Sequence, residues 1–512
     1  MRIRLFAVAA VLALALPAAA PATTPATTPA TTPATTPATT PVTTPATIAV
    51  APGGDVTIAP AAAGILASPN VSLIATVPDA GGVGGRFVQS GGKTYYFTTG
   101  YLGLRIFDAT NAELPILVGA LPLPVWENED VDVSVSRRLA MISVDNTSSN
   151  IAGGMYVVSW ANPALPTLEA FLMYPAATPT GKGGPGHIAN CIADCARYAY
   201  VGGARDGSIY IVDLANPKQP RVETTRVLSS QNPAGRGNAA FTGGDVHDVW
   251  AESATRVWAT GSGGTAQLDV TNPLSPVVKY QMTTAANNTW NQFIHHNSMR
   301  LDASTMLVTE EDWLQPFCGE TGTEQGGFQT WQIPATTTGN LTLRDQWITE
   351  LGTYVDGGAA ATITCSSHWF TFNRHKIVAV GWYDQGVRFL DVTDPGNIVQ
   401  KGYWIRPSEG IGASAGLFHP VRDDIVYVPD YERGLDIIAI ANGGVGAATV
   451  VAPIRQEWIT PGVTFAVRPH PQYGYACLLP IGAATGAATG AGKESTVRTA
   501  KIQASGRRVL SG

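Results

Sequence analysis

Charge is scarce in this chain. Lys, Arg, Asp and Glu make up 14% of its 512 residues, and 32 basic against 38 acidic residues leave a net charge of −6. With no cluster of Lys and Arg, the surface that neutralises phosphates is missing, and no nucleic-acid partner is expected. Long apolar runs are also scarce. After Leu5–Leu16 nothing in the sequence approaches the roughly 20 apolar residues of a bilayer span. No HExxH sequence is present, which removes one common metallohydrolase signature. The glycine run Gly81-Gly-Val-Gly-Gly lacks the strand-to-helix setting of a phosphate loop. Cysteine is sparse too, at five residues.

What the chain does have is 55 Gly, 36 Pro and a recurring phrase. Apolar residues, a polar residue and an Asn-Pro-like turn appear as LRIFDATNAELP at Asp108, YVVSWANPALP at Ser159 and IYIVDLANPKQP at Asp213. The phrase returns as AQLDVTNPLSP at Asp269 and VRFLDVTDPGNI at Asp391, with weaker copies at Gln332 and Ile438. Successive copies lie 47 to 63 residues apart. A β-rich repeat of that period predicts an all-β propeller. Each repeat parses as four strands, giving seven four-stranded blades over residues 71–480, with units beginning near residues 84, 127, 186, 245, 294, 366 and 418. Either Val71–Val77 or a hairpin of Val463–Val467 with Tyr473–Cys477 could complete the last sheet.

The ends read differently. Arg2 and Arg4, an apolar run and Pro17-Ala-Ala-Ala make residues 1–20 a signal peptide, so a secreted or cell-envelope location is expected. Residues 21–50 hold six tetrapeptides, five Ala-Thr-Thr-Pro and one Val-Thr-Thr-Pro, which predict a disordered, semi-extended stalk. The Gly/Ala-rich tail from 481 to 512 reads as flexible. Export permits disulfides. Cys191 and Cys195 flank a short turn, and Cys318 with Cys365 forms the second candidate pair, leaving Cys477 over.

Five of the eight histidines, His187, His247, His296, His368 and His419, lie 19 to 36 residues before their unit's turn phrase. That places each at the start of an inner strand, converging on the mouth of a central channel. The first two units lack His there, and Arg86, Asp130 and Asp132 are their nearest polar substitutes. Glu310 and Glu311 close a second strand on the same face. Trp382, with Trp313, Tyr383 and Tyr431, falls in second-to-third strand loops on the same face, where these rings either form a rim that stacks on a ligand or, the favoured reading, pack between blades. Imidazole with carboxylate is a ligand set for copper, zinc or iron. The competing reading is structural: duplication alone would repeat a histidine that only braces turns. His295, His375 and His470 read as packing or surface residues.

The third-strand phrases IYIVDLANP, AQLDVTNP and VRFLDVTDP resemble the LVIVD repeat of bacterial exported β-propeller proteins, over roughly Gly84 to Asn442. Ser159, Gln332 and Ile438 replace the repeat's Asp. This resemblance implies the fold and no particular chemistry. The histidine-lined channel is similar, in architecture only, to the propellers of selenium-binding protein/methanethiol oxidase and nitrous oxide reductase. GPGHIANC resembles the His-then-Cys phrasing of the first of these, and no residue role carries over. The expected function is therefore a monomeric, exported scaffold that binds an extracellular ligand or cell-envelope component through its top face and channel. The alternative is a metal-dependent oxidoreductase with copper, zinc or iron at the channel mouth.

Overall fold

The computed structural model describes residues 65–452, apart from 79–81, 101, 126–128, 145–152, 176–183, 185, 205–206, 229–245, 262–263, 283–293, 312–325, 350–365, 384, 407–411 and 431–433, together with 464–469 and 476–481. Residues 1–50, where a signal peptide and a stalk are expected, most of the 314–327 insertion and the residues beyond Ile481 lie outside the described residues. By its contacts the chain separates into residues 1–49 and 50–512, and the fold described is that of the second part.

The described residues form β-strands with one 3-10 turn, and no helix among them is long and apolar enough to cross a membrane. Strands pair antiparallel in four-stranded meanders arranged as propeller blades. In one unit Gly84–Ser90 is innermost, followed by Lys93–Gly100, Gly103–Asp108 and Ile116–Leu121. The same order runs from Val131 to Met173, Ala189 to Val227, Val246 to Met282, Ile294 to Trp347 and Trp369 to Ile405. Leu66–Ala67 adds a short fifth strand outside Val399–Ile405.

The repeated phrase earns its spacing through two successive Asx turns. Asp213 Oδ1 accepts the Ala215 N–H at 2.8 Å and Asn216 Oδ1 accepts the Lys218 N–H at 3.1 Å. Asp108 with Asn111, Asp269 with Asn272 and Asp391 with Asp394 repeat the arrangement. Each side chain stands in for a backbone partner, so the third strand stops and the outer strand turns back in the same way each time.

Neighbouring units meet through apolar faces. Phe97, Ile106 and Trp160 join the first two units, and Tyr200, Ile211 and Val257 join two later ones. Inner strands pack side by side in chain order. Tyr96 and Phe107 of the first unit bury against Leu417 and Tyr427 of the last. Ser414 Oγ donates to the Val83 carbonyl across the same junction. The circle therefore closes on itself.

The last unit combines Ala415–Phe418, Ile425–Asp430 and Gly434–Ile440 with the N-terminal strand Val71–Val77, which pairs antiparallel with Gly434–Ile440. The alternative closing segment does something else: Thr464–Pro469 and Ala476–Ile481 pair with each other. The inner strand of this last unit also begins earlier than the sequence parse placed it. His419 follows that strand, and Ser414 precedes it at the level where Trp369 pairs with Ala415.

Candidate metal centre

Five of the inner strands contribute to the cluster, each near the point where its ladder begins. His187 and Glu129 lie two residues before Ala189–Cys191 and Val131–Ser134, and His368 immediately precedes Trp369–Phe372. His247 and His296 sit inside their strands, where strict alternation would send one of each adjacent pair away from the axis. Register shifts between Val246 and Asp248, and between His295 and Asn297, change this. A bulge adds a residue and re-aims its side chain. Both His247 and Asp248, and likewise His296 and Asn297, thereby serve the channel.

Four of the five aligned histidines come together. Ring centroids are 4.3 Å apart for His187–His247, 4.3 Å for His247–His296 and 3.9 Å for His296–His368. Glu129 completes the arc. Its carboxylate lies 2.7 Å from His296 Nε2, 3.3 Å from His187 Nε2, 3.4 Å from His368 Nε2 and 3.9 Å from His247 Nε2. Glu311 stands behind, 3.8 to 4.0 Å from the Nε2 atoms of His296, His368 and His247. The Tyr383 hydroxyl donates to Glu311 Oε1 at 2.5 Å and holds it in place. All of these residues are buried.

The tautomers follow from the backbone. His368 Nδ1 lies 2.8 Å from the Ser414 carbonyl and His247 Nδ1 lies 3.3 Å from the His296 carbonyl. A carbonyl only accepts, so both Nδ1 atoms carry hydrogen, and in the neutral ring each Nε2 presents its lone pair to the cluster. Metal-ligating histidines are oriented by this kind of bond on the other ring nitrogen.

Two triads have donor atoms all within 4.8 Å of one another: Glu129, His247 and His296, and His296, Glu311 and His368. Bonds of about 2.0–2.1 Å in tetrahedral geometry put donors roughly 3.3 Å apart. The carboxylate-to-imidazole separations of 2.7 to 4.0 Å bracket that figure, so each triad has the donor types and spacing for a transition-metal ion. Burial raises Glu129, but His296, His187 and His368 outweigh it and hold its carboxyl well below the usual range. Burial, with His187 and His296 beside it, holds His247 well below the ordinary imidazole value, and burial likewise lowers His296. Burial opposes protonation of His368 as well, yet Glu129 prevails and raises it.

The other sequence candidates are placed as follows. His419 stands outside the cluster: its Nε2 meets the Ala109 carbonyl at 2.9 Å, and its Nδ1 accepts the N–H groups of Val421 and Arg422. It braces a turn, because it ends its strand where the others begin theirs. Arg86 pairs with Asp132 at 3.1 Å, and Asp132 also accepts the Cys191 N–H. Asp130 faces the channel below the cluster. Glu310 is buried one residue from Glu311, on the strand's other face. Trp382 is fully buried against Trp347 and Val380, so it packs between blades and forms no rim. Trp313, Tyr431, Cys318, Cys365 and His470 lie outside the described residues, and only the backbone at Cys477 is described. Cys191 and Cys195 are joined by a disulfide.

Glu129 is the residue that sequence reasoning passed over in favour of Asp130 and Asp132. A signal was available, since it lies 30 residues before Ser159, inside the histidines' own window. Gly412–Gly416 spells G-x-S-x-G, but its Ser414 is fully buried in a strand junction, with its hydroxyl spent on main-chain carbonyls. It has none of the exposure a nucleophile elbow requires.

His295 provides a test of the buried environment. It is fully buried, with Nδ1 3.0 Å from Thr265 Oγ1, and burial pushes its imidazole down to about 3. The folded value lies below the unfolded 6.5, so its stability contribution is intact above about pH 6.5 and is lost as pH falls toward 3. The expected slope is about 1.4 kcal/mol per pH unit for this one proton. His295→Gln is expected to flatten the acid limb of the unfolding free energy by that amount, measured by denaturant titration from pH 7 to 4. An unchanged slope would show that His295 is not held neutral.

No family model matches this chain, and no curated protein matches it. Solved structures do. The Cps50 (Swd1) β-propeller domain of Myceliophthora thermophila is 13% identical, covering 73% of this chain and 99% of its own, with a TM-score of 0.48. The periplasmic gluconolactonase PpgL of Pseudomonas aeruginosa is 12% identical over 68% and 92%, at 0.47. A protein from Lactobacillus plantarum is 11% identical over 70% and 93%, at 0.49. These likenesses concern β-propellers as a fold and extend to no activity.

Proposed function

We propose that this chain is a metal-binding propeller of seven four-stranded blades, with one copper, zinc or iron ion at the channel mouth. His187, His247, His296, His368 and Glu129 would hold the ion, with Glu311 as a further donor steadied by Tyr383. The carrying observation is the convergence of four Nε2 atoms on one buried carboxylate, two of them with Nδ1 anchored to main-chain carbonyls. A structural role would need only one or two such bonds, as His419 illustrates. The bound ion would supply Lewis acidity or a redox centre. Meanwhile the chain's own groups orient the imidazoles and keep bulk water from them. The leader-like N-terminus and the LVIVD-type phrases support reading the chain as an exported member of that repeat class.

Elemental analysis of protein purified through its own export route is the direct test. Close to one equivalent of a single transition metal is expected in the wild type. Loss to background is expected in the double variant His247→Ala/His296→Ala. Negligible metal in the wild type, or equal metal in both proteins, would defeat the reading.

A further inference from the structure

Directly below Glu129 the channel widens into a cavity of about 270 Å³. Its lining follows a rule: the residue after each of Glu129, His247, His296 and His368 lines it, namely Asp130, Asp248, Asn297 and Trp369. Trp250, two residues beyond Asp248, adds a second indole, and Arg86 enters from the first unit. Two buried groups there lack a hydrogen-bond partner. Asn297 is 2% exposed and spends its Nδ2 on Asp248 Oδ2 at 3.0 Å, which leaves Oδ1 an unused acceptor. Trp369 Nε1 is an unused donor. A buried polar atom without a partner costs about 1–3 kcal/mol. Leaving an acceptor and a donor unmet in one chamber fits a site whose partners arrive from outside.

We propose that this cavity binds a small uncharged molecule with hydroxyl groups on a six-membered ring, through Asn297 and Trp369 with Trp250 against the ring. Hydroxyl groups both donate and accept, which matches an open acceptor beside an open donor with carboxyl and amide groups around them. The indoles offer flat apolar surface to a ring face. Size agrees, because a dry cavity of about 150 Å³ already accommodates benzene. Arg86 is committed to Asp132, so no free cation waits for an anionic ligand. This inference goes beyond the metal reading and does not depend on it.

The test is calorimetric titration of the metal-stripped full chain with D-glucose, a saturated ring, and resorcinol, an aromatic ring that chelates poorly. Saturable one-to-one binding of at least one is expected, and the stronger of the two identifies the ring type. Asn297→Ala and Trp250→Ala are expected to weaken it about tenfold, each checked for an intact thermal transition. Should either fail to fold, Trp369→Phe, which replaces the indole by a smaller ring and removes its N–H donor, is expected to weaken binding likewise. No saturation by either probe, equal competition by toluene or benzoate, or undiminished binding in the folded variants would overturn the proposal.

Discussion

Glu129→Gln is expected to cut the chain's affinity for its metal by about a hundredfold or more, beyond the 10–100-fold typical of losing an outer-shell partner. Glutamine keeps the size and removes the one charge that all four imidazoles share. Glu311→Gln should cost less, since Glu311 stays 3.8 to 4.0 Å from the Nε2 atoms and is already engaged by Tyr383. Competition against a chelator of known affinity orders the two, and a greater loss in Glu311→Gln would refute this assignment. Metal-free stability should fall as well. Removing one partner of a buried pair costs about 3–5 kcal/mol, and because His368 can shed its proton the lower end, about 3 kcal/mol, is expected. The pH dependence has two limbs. Glu129 is depressed, so its contribution is present above the unfolded carboxylate value near 4.5 and is lost as pH falls through its folded value. His368 is raised, so its contribution is complete below 6.5 and is lost as pH rises through its folded value. Wild type and Glu129→Gln should therefore differ most between these limits, in thermal midpoints measured across pH 4 to 9.

Starting the chain at residue 79 is expected to abolish cooperative unfolding, whereas starting it at residue 65 should leave the transition unchanged. The first truncation removes Val71–Val77, the outer strand of the closing sheet, and exposes the edge of Gly434–Ile440. Val71 and Ala75 are buried, in two different inter-blade clusters, so their loss reaches both junctions of that sheet. A domain with a total stability of 5–15 kcal/mol has little margin for a missing strand and an open edge. Scanning calorimetry of the two truncated proteins decides the point. A synthetic Val71–Val77 peptide should restore part of the transition by adding as a strand. A sharp, wild-type-like transition in the shorter chain would show that closure lies elsewhere.

The architecture was legible because its signal is local. Asp108, Asp213, Asp269 and Asp391 each cap a turn a few residues away, so the residues that make the turn also reveal it in the sequence. Histidine positions, measured back from those turns, located most of the cluster for the same reason. Legibility failed where one residue's direction depends on a neighbouring strand. A displacement of a few residues puts His419 at the far end of its strand, bonded to Ala109 instead of the cluster. Of the neighbouring acids Glu129, Asp130 and Asp132, the last two are the more conspicuous in the sequence, yet of these three only Glu129 meets the imidazoles.

Composition and periodicity thus settle the strands, the turns and the order of the units, since these are short-range consequences of hydrogen bonding and side-chain alternation. The meeting of His187, His247, His296 and His368 on Glu129, 167 residues from His296 in the chain, is a different kind of fact. It depends on register shifts at His247 and His296 and on the circle of strands closing through Val71–Val77. Those are properties of pairing between distant segments, and only the folded chain decides them.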